Sequence, residues 1–209
     1  MRGKLITLEG IDNSGKSTQA TLLCNYLRKK RLAVVFVREP GGTQISERIR
    51  GILLSSKNHS LVPEAELLLY QAARAQLVFE VIAPALQRGK IVVCDRFYDS
   101  TTAYQGHARG LDLGLIEKLN KFASFGIVPG LTMVIDLPVE AALGRAIKQG
   151  GLPDRLEREQ LKFHKQVRRG YLSLAKKYPG RVKIIKGDQS IEKIWEELRL
   201  TVDKFLKPR

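Results

Sequence analysis

The chain has 209 residues, of which 44% are hydrophobic and 27% are charged, and its formal net charge is +15 at pH 7. This length suits one globular domain, and this composition excludes a disordered protein. The longest apolar runs, such as residues 33–37 and 91–94, are too short to cross a bilayer, which excludes a membrane-spanning protein. The charge favours an anionic partner, which could be nucleic acid, a membrane surface or a phosphate-bearing substrate.

Short β-branched runs alternate with longer amphipathic ones, which is typical of βαβ units in a parallel sheet. We predict five strands: Lys4–Glu9, Ala33–Val37, Lys90–Cys94, Leu131–Asp136 and Val182–Lys186. We predict helices over Gly15–Lys30, Thr43–Ser55, Pro63–Gln87 with a bend at Pro84, Leu113–Phe122, Val139–Lys148, Leu156–Tyr178 and Ile191–Leu206. These elements indicate an α/β fold, a three-layer sandwich with a five-stranded parallel sheet, as a single domain over residues 1–209.

The positive charge is concentrated in one part of the chain, because residues 145–186 carry a net +10. Hydrophobic residues recur there at helical spacing, so the segment is not a basic tail. Five cations share one side of the predicted helix and form a basic stripe: Arg158, Lys162, Lys165, Arg169 and Lys176. We interpret the basic stripe as a solvated helix face that attracts nucleic acid only weakly.

Two further features bear on the cellular compartment. The N-terminal residues 1–9 lack the apolar segment of a secretory signal, so we expect a cytoplasmic protein. Cys24 and Cys94 have neither CxxC spacing nor a nearby histidine pair. We therefore predict reduced core thiols rather than a disulfide or a metal site.

The most specific motif follows the first predicted strand. Residues 10–18 read Gly-Ile-Asp-Asn-Ser-Gly-Lys-Ser-Thr and fit the P-loop pattern G-x-x-x-x-G-K-[ST], in the required order of strand, loop and helix. Backbone N–H groups and the helix dipole favour phosphate there. Lys16 is expected to reach the β and γ phosphates, and the Ser17 hydroxyl to ligate Mg²⁺. We predict ATP binding by Gly10, Ile11, Asp12, Asn13, Ser14, Gly15, Lys16, Ser17 and Thr18.

A P-loop indicates nucleotide binding but does not define the reaction. A GTPase would need Asn-Lys-x-Asp, and the only Asn-Lys pair, at residues 120–121, continues with Phe-Ala. A motor or AAA-type ATPase usually needs a longer chain. A small-molecule kinase is therefore the favoured class.

Candidate residues for the second substrate follow the third predicted strand. Asp95 and Arg96 would emerge at the carboxyl edge of the sheet, where the carboxylate can hold Mg²⁺ and the arginine can bridge two phosphates. A helix cap with a surface ion pair is the alternative. Tyr70 and Arg74 are four residues apart on a helix and suit an aromatic base, although ordinary packing gives the same spacing. Residues 100–106 group hydroxyls, an amide and a ring, which either read polar edges or form a polar turn.

Together these motifs resemble the thymidylate kinase family, bacterial type. The matching segments span almost the whole chain and comprise residues 10–18, Arg38-Glu39-Pro40-Gly41-Gly42-Thr43, Ala72-Ala73-Arg74, Asp95-Arg96-Phe97 and Thr101-Thr102-Ala103-Tyr104-Gln105-Gly106. The resemblance implies a P-loop nucleoside monophosphate kinase fold, with ATP and dTMP as substrates and Mg²⁺ as cofactor. It implies transfer of the γ-phosphate to give dTDP, and a homodimer.

The resemblance also implies roles for individual residues. Tyr70 would stack on thymine, Arg74 and Gln105 would bond its edge, and Asp12 would bond the 3′-hydroxyl. The nine residues implied for dTMP are Asp12, Arg38, Pro40, Tyr70, Arg74, Arg96, Thr101, Tyr104 and Gln105. The catalytic residues implied are Lys16, Asp95, Arg96 and Arg155, with Ser17 and Asp95 at the metal. Residues 187–190 would lie against adenine.

A mobile lid is expected at about residues 148–157, around Gly150-Gly151-Leu152-Pro153. The P-loop carries no basic residue at positions 11–14, so the chain resembles the branch of the family that supplies an arginine from the lid. Phosphoryl transfer between two anions needs cation beyond Lys16 and Mg²⁺. Arg155 is the first choice for that cation, followed by Arg145 and Lys148.

Two rival functions stay open at this stage. One is a kinase of another nucleoside monophosphate or of a deoxynucleoside. The other is a P-loop nucleic-acid-binding protein, for which the basic stripe is the motive, although nucleic acid is the less favoured partner.

Overall fold

A parallel sheet forms the centre of the computed structural model, which describes residues 3–150 and 152–207. Its strands are β1 (Lys4–Glu9), β2 (Val34–Arg38), β3 (Ile91–Asp95), β4 (Leu131–Asp136) and β5 (Val182–Lys186). Their order is β2-β3-β1-β4-β5, and every pair is parallel. The predicted five-stranded parallel sheet is confirmed. β2 and β3 lie one residue later than predicted, because Arg38 pairs with Asp95 and continues the ladder to that point.

Helices cover both faces of the sheet and complete the predicted three layers. They are α1 (Lys16–Lys29), α2 (Gln44–Leu54), α3 (Pro63–Leu77), α4 (Ala83–Gln87), α5 (Tyr98–Thr101), α6 (Leu113–Ala123), α7 (Val139–Gln149), α8 (Leu161–Lys177) and α9 (Ile191–Leu206). Two π-helical segments, Val78–Ile82 and Thr102–Ala108, follow α3 and α5. The bend predicted at Pro84 is a π-helical widening just before it, because proline has no N–H to bond the carbonyl four residues earlier.

Two helix predictions are corrected by the structure. The last turn before α8 is not helical, since the Asp154 carboxylate accepts from the N–H groups of Leu156 and Glu157 at 2.8 and 2.9 Å. α8 therefore begins at Leu161 and not at residue 156. The second correction concerns residues 98–108, where the sequence predicts only a polar cluster and the structure has α5 and its π-helical continuation. Serine and threonine favour helices weakly, and packing of this segment against α8 stabilises it instead.

The core lies on both faces of the sheet, as a buried parallel sheet requires. On one face α1 and α9 contribute Leu23, Leu27 and Leu198, and on the other α8 contributes Val167 and Tyr171. Both cysteines are buried free thiols, and burial raises the pKa of each. The prediction of core thiols is confirmed.

The basic stripe faces solvent along α8. Lys162, Lys165, Arg169 and Lys176 are exposed, while Arg158 precedes the helix. In the described part of the chain, none of the helices is both long enough and apolar enough to cross a bilayer. Parts of two sequence predictions, on Met1 and Arg2 at the N-terminus and on Gly151 in the lid, lie outside the described residues.

Candidate active site

The P-loop connects the carboxyl end of the central strand β1 to α1. Gly10 and Gly15 have φ values of 137° and 98°. A side chain at Gly10 would place its Cβ 2.6 Å from the carbonyl oxygen of Ile135, so only glycine fits there. Lys16 is buried, and its Nζ donates to the carbonyl oxygen of Ile11 at 2.7 Å. Burial and the charge of Arg96 lower the pKa of Lys16 to about 8.

One cavity, which we call the P-loop cavity, lies over this loop. It is lined by Asn13, Ser14, Gly15, Lys16, Ser17, Thr18, Gln19, Arg145, Gln189, Ser190, Ile191 and Ile194. Six of the nine predicted ATP-binding residues belong to it. Gly10, Ile11 and Asp12 do not line it, but they complete the same loop. Gln189 and Ser190 belong to the segment that the resemblance places beside adenine.

The two predicted metal ligands touch each other. Ser17 Oγ donates to Asp95 Oδ2 at 2.6 Å, across 78 residues of sequence. A hydroxyl and a carboxylate are oxygen ligands, which Mg²⁺ prefers. Among the residues described, no group of three or more His, Cys, Asp or Glu side chains is arranged to hold a metal ion. The pair therefore fits an ion that keeps most of its ligands as water and phosphate oxygens.

Another cavity, which we call the second cavity, also borders the P-loop, at Asp12. It is lined by Asp12, Glu39, Pro40, Arg50, Leu54, Tyr70, Arg74, Arg96, Phe97, Ser100, Thr101, Tyr104, Gln105, Asp154 and Leu156. Eight of the nine residues implied for dTMP are among them. The exception is Arg38, whose guanidinium contacts Glu47 at 3.0 Å and the carbonyl oxygen of Pro40 at 3.1 Å.

Arg96 and Asp12 line the second cavity on the side of the P-loop, and we call this side the wall between the two cavities. Arg96 is ion-paired with Asp12 and donates to the carbonyl oxygen of Gly10 at 2.6 Å. The Tyr104 hydroxyl donates to the other Asp12 oxygen at 2.9 Å. Burial by itself raises the pKa of Asp12, but the charges of Arg96 and Lys16 outweigh it and lower that pKa to about 2. Asp12 is therefore an ionised acceptor at neutral pH.

Arg74 is buried at the base of the second cavity. It makes four hydrogen bonds, to Glu39, Gln71, Thr101 and Asn120, between 2.8 and 3.1 Å. These bonds fix its guanidinium in place. Tyr70 lies one turn away on α3 and lines the same cavity, so the four-residue spacing did place the ring and the guanidinium together.

Glu66 binds three side chains around the second cavity. Its carboxylate accepts from Gln105 at 2.8 Å, from Arg109 at 3.1 and 3.2 Å, and from Arg155 at 2.5 Å. Arg155 also donates to the carbonyl oxygen of Leu53 at 2.9 Å. This arrangement holds the segment that carries Arg155 against α2 and α3. Sequence reasoning missed Glu66, because a carboxylate on an amphipathic helix looks like a solvated residue.

The three candidate lid cations occupy different places. Arg155 is paired with Glu66 beside the second cavity and does not line the P-loop cavity. Arg145 lines the P-loop cavity and donates to the carbonyl oxygens of Ser14 at 3.3 Å and Gly187 at 3.1 Å. Lys148 is exposed on α7.

Arg50 lines the second cavity beside Arg74 and Arg96, and sequence reasoning missed it. Its Nη1 donates to the carbonyl oxygen of Pro40 at 2.9 Å. Arg50 and Leu54 are four residues apart on α2 and both line the cavity. The same spacing argument that found Tyr70 and Arg74 could have found this pair.

Known proteins are similar to this chain over nearly its whole length. The sequence model of the family described as "Thymidylate kinase" matches residues 8–198. A curated thymidylate kinase from Kosmotoga olearia is 50% identical over 201 residues, which cover 96% of this chain and 94% of the relative. One from Pelotomaculum thermopropionicum is 47% identical over 214 residues, covering 99% and 98%.

A solved structure gives the same result. The crystal structure of thymidylate kinase from Ehrlichia chaffeensis aligns with a TM-score of 0.80 at 35% identity and covers 97% of this chain and 99% of that one. Fold, motifs and full-length similarity all agree, and the chain belongs to the thymidylate kinase family.

Proposed function

We propose that this chain transfers the γ-phosphoryl group of ATP to dTMP, giving dTDP, across the wall between its two cavities. One observation carries the proposal: Asp12 lines the second cavity while Asn13, the next residue, lines the P-loop cavity. A donor phosphate in one cavity and an acceptor phosphate in the other would thus meet beside Arg96. Direct transfer between positioned anions needs no covalent intermediate, so the work of the protein is positioning and charge neutralisation.

On the donor side, the P-loop would hold the ATP phosphates through its backbone N–H groups and Lys16. Ser17 and Asp95 are the residues that would hold Mg²⁺. When bound, that ion neutralises the charge that develops on the β and γ phosphates. Arg145 and residues 189–190 extend the P-loop cavity away from the phosphates, which supports placing the adenosine part there.

On the acceptor side, different residues of the second cavity suit the base, the sugar and the phosphate of dTMP. Tyr70, Arg74 and Gln105 offer a ring and hydrogen-bonding groups for thymine. Asp12 and Tyr104 are placed for the sugar. We propose Arg50 as a further cation for the dTMP phosphate, because it lines this cavity, whereas Arg38 is turned to Glu47.

The rival acceptors are separated by one assay. We expect coupled ADP release with dTMP to exceed that with dCMP, dGMP and dAMP by at least about 100-fold, because buried polar groups such as Gln105 reject a base that leaves them unpaired. dUMP lacks only a methyl group and should lose about 10-fold. A higher rate with another nucleotide, or with a deoxynucleoside, would contradict the proposal. ATP hydrolysis that is stimulated by DNA and insensitive to dTMP would instead support the nucleic-acid alternative.

Arg145 and Arg155, two candidates for the lid cation, are held by different partners. For Arg155 to reach the P-loop, its buried pair with Glu66 would have to break. Arg145 already contacts the P-loop in the conformation described. We therefore propose that Arg145 is the cation beside ATP. We propose that Arg155 instead anchors the segment that contributes Asp154 and Leu156 to the lining of the second cavity.

Two matched variants test this division. Arg145→Ala should raise KM for ATP by about 10-fold or more and leave KM for dTMP nearly unchanged, because one charged contact is lost on the donor side only. Arg155→Ala should lower the melting temperature and raise KM for dTMP. If Arg155→Ala instead lowers kcat by about 100-fold with an unchanged melting temperature, Arg155 is the catalytic cation.

We further propose a cytoplasmic homodimer. α3 and α6 pack against each other, and large apolar side chains beside them face solvent, among them Phe122 at 81% and Phe79 at 68% exposure. Such a surface is typical of a face covered by a partner. Sedimentation equilibrium should give twice the mass of the 23.5 kDa chain, and a monomer at micromolar concentration would contradict this.

A further inference from the structure

Glu9 is the last residue of β1 and precedes the P-loop directly. Its side chain is fully buried and lines neither of the two cavities. Neither the sequence motifs nor the proposed substrate contacts assign a function to Glu9. A buried carboxylate at this position is costly unless hydrogen bonds compensate it.

Both oxygens of the Glu9 carboxylate are fully engaged. Oε1 accepts from the backbone N–H of Phe97 at 2.7 Å. Oε2 accepts from Ser100 Oγ at 2.6 Å and from the Tyr171 hydroxyl at 3.0 Å. The three donors come from the turn after β3, from α5 and from α8, so a single carboxylate joins three segments.

Each of these donors is also linked to Arg96. Phe97 follows it in the chain, and Arg96 has a φ of 68°, a left-handed conformation that is unfavourable for a residue other than glycine. The bond from Glu9 to the next N–H helps to hold that turn. Arg96 Nη1 lies 3.4 Å from Ser100 Oγ and 3.2 Å from the Tyr171 hydroxyl.

The direction of these hydrogen bonds matters for Arg96. A hydroxyl has one hydrogen, so a hydroxyl that donates to Glu9 presents only lone pairs to the guanidinium. Ser100 Oγ and the Tyr171 hydroxyl also lie 2.8 Å apart, so one of them can donate to the other while that partner donates to Glu9. In either arrangement both hydrogens are used within this group, and both oxygens accept from Arg96. Glu9 therefore sets the backbone turn of Arg96 and also the polarity of two groups that hold its side chain.

The pKa of Glu9 is also shifted by its surroundings. Burial and the nearby charge of Asp99 raise the pKa of Glu9 to about 7, against the opposing effects of Ser100, Arg96 and Phe97. Strongly perturbed groups next to a reaction site are candidates for a functional part.

We propose that Glu9 is a positioning residue for phosphoryl transfer, which fixes the Arg96 guanidinium at the wall between the two cavities. Glu9 acts only through Arg96 and touches no substrate. The inference rests on the proposed function, in which Arg96 meets both phosphates.

A double-mutant cycle tests the proposal with Glu9→Gln, Arg96→Ala and the combined variant. Glutamine keeps the size of the side chain but replaces one acceptor oxygen with a donor NH2, so position 9 can no longer accept from the Phe97 N–H and from the hydroxyl side together. We expect Glu9→Gln to lower kcat by about 10- to 100-fold, the cost of a displaced catalytic group, with KM for ATP nearly unchanged. In the Arg96→Ala background the same change should cost less than about 3-fold, because no guanidinium is left to position.

Two further variants guard against a purely structural effect. Tyr171→Phe removes one link between Glu9 and Arg96 and keeps the ring, so it should lower kcat by a smaller factor and retain the fold. Glu64→Gln changes an exposed carboxylate on α3 and should leave kcat unchanged. The melting temperature of each variant is measured alongside.

Three outcomes would overturn the proposal. One is a wild-type kcat for both Glu9→Gln and Tyr171→Phe. Another is an equal loss from Glu9→Gln in both backgrounds, which would mean that Glu9 acts independently of Arg96. The third is a wild-type kcat for Arg96→Ala, since there would then be no catalytic arginine to position. If instead no variant and no wild-type enzyme phosphorylates dTMP, the proposed function itself has failed.

Discussion

Replacing Arg96 with alanine should lower kcat by about 100- to 1000-fold while binding of ATP stays nearly unchanged. Arg96 lines the second cavity and bonds the P-loop carbonyl oxygen of Gly10, so under the proposed function its charge would act on both phosphates. An interaction that strengthens as charge moves between two phosphates lowers the barrier, and its loss appears in kcat rather than in ATP affinity. Steady-state kinetics and calorimetry with a non-hydrolysable ATP analogue measure the two effects.

Two variants serve as controls for Arg96→Ala. Arg96→Lys keeps the charge, but a compact ammonium cannot make the several fixed contacts of the guanidinium, so an intermediate kcat is expected. Arg88→Ala removes an exposed arginine near α4 and should leave kcat unchanged. A folded Arg96→Ala enzyme with kcat close to that of the wild type would contradict the assignment.

Replacing Lys16 with alanine should lower kcat/KM for ATP by about 100- to 1000-fold, the range for loss of one preorganised charged donor. The Lys16 amine is buried beneath the P-loop and is held by the carbonyl oxygen of Ile11. Under the proposed function it would move onto the β and γ phosphates when ATP binds. Lys16 lines the P-loop cavity and not the second cavity, so the affinity for dTMP should stay within about 2-fold.

The matched control for Lys16→Ala is Lys29→Ala, which removes an exposed lysine from the last turn of the same helix. Its kinetics should equal those of the wild type. Calorimetric titration of Lys16→Ala with dTMP separates lost donor binding from general unfolding. Equal losses for ATP and dTMP would mean that Lys16 supports the fold rather than the donor phosphates.

Much of the fold was predictable because its signals are local. Five β-branched runs separated by amphipathic segments indicate a buried parallel sheet, and three strands have the predicted bounds. The errors occurred where distant contacts override propensity. α5 and its π-helical continuation are rich in serine and threonine, and they depend on packing against α8 and on the buried acceptor Glu9.

The candidate site divides in the same way. The P-loop motif predicted the ATP-binding residues, because its glycines and its lysine stand at a fixed spacing that is typical of phosphate binding. The spacing of Tyr70 and Arg74 gave part of the second cavity. The same spacing pairs Arg50 with Leu54 on α2, but only the tertiary structure shows that this pair lines the second cavity.

The sequence by itself determined the sheet and the P-loop, and it predicted most of the residues that line the two cavities. Only the tertiary structure decided which cation faces which cavity. Arg155 is held by Glu66, 89 residues away, and Arg145 by the P-loop, more than 130 residues away. A guanidinium goes to whichever carboxylate or carbonyl group the folded chain brings within reach. Periodicity and motif spacing describe neighbours along the chain and carry no information on such distant partners.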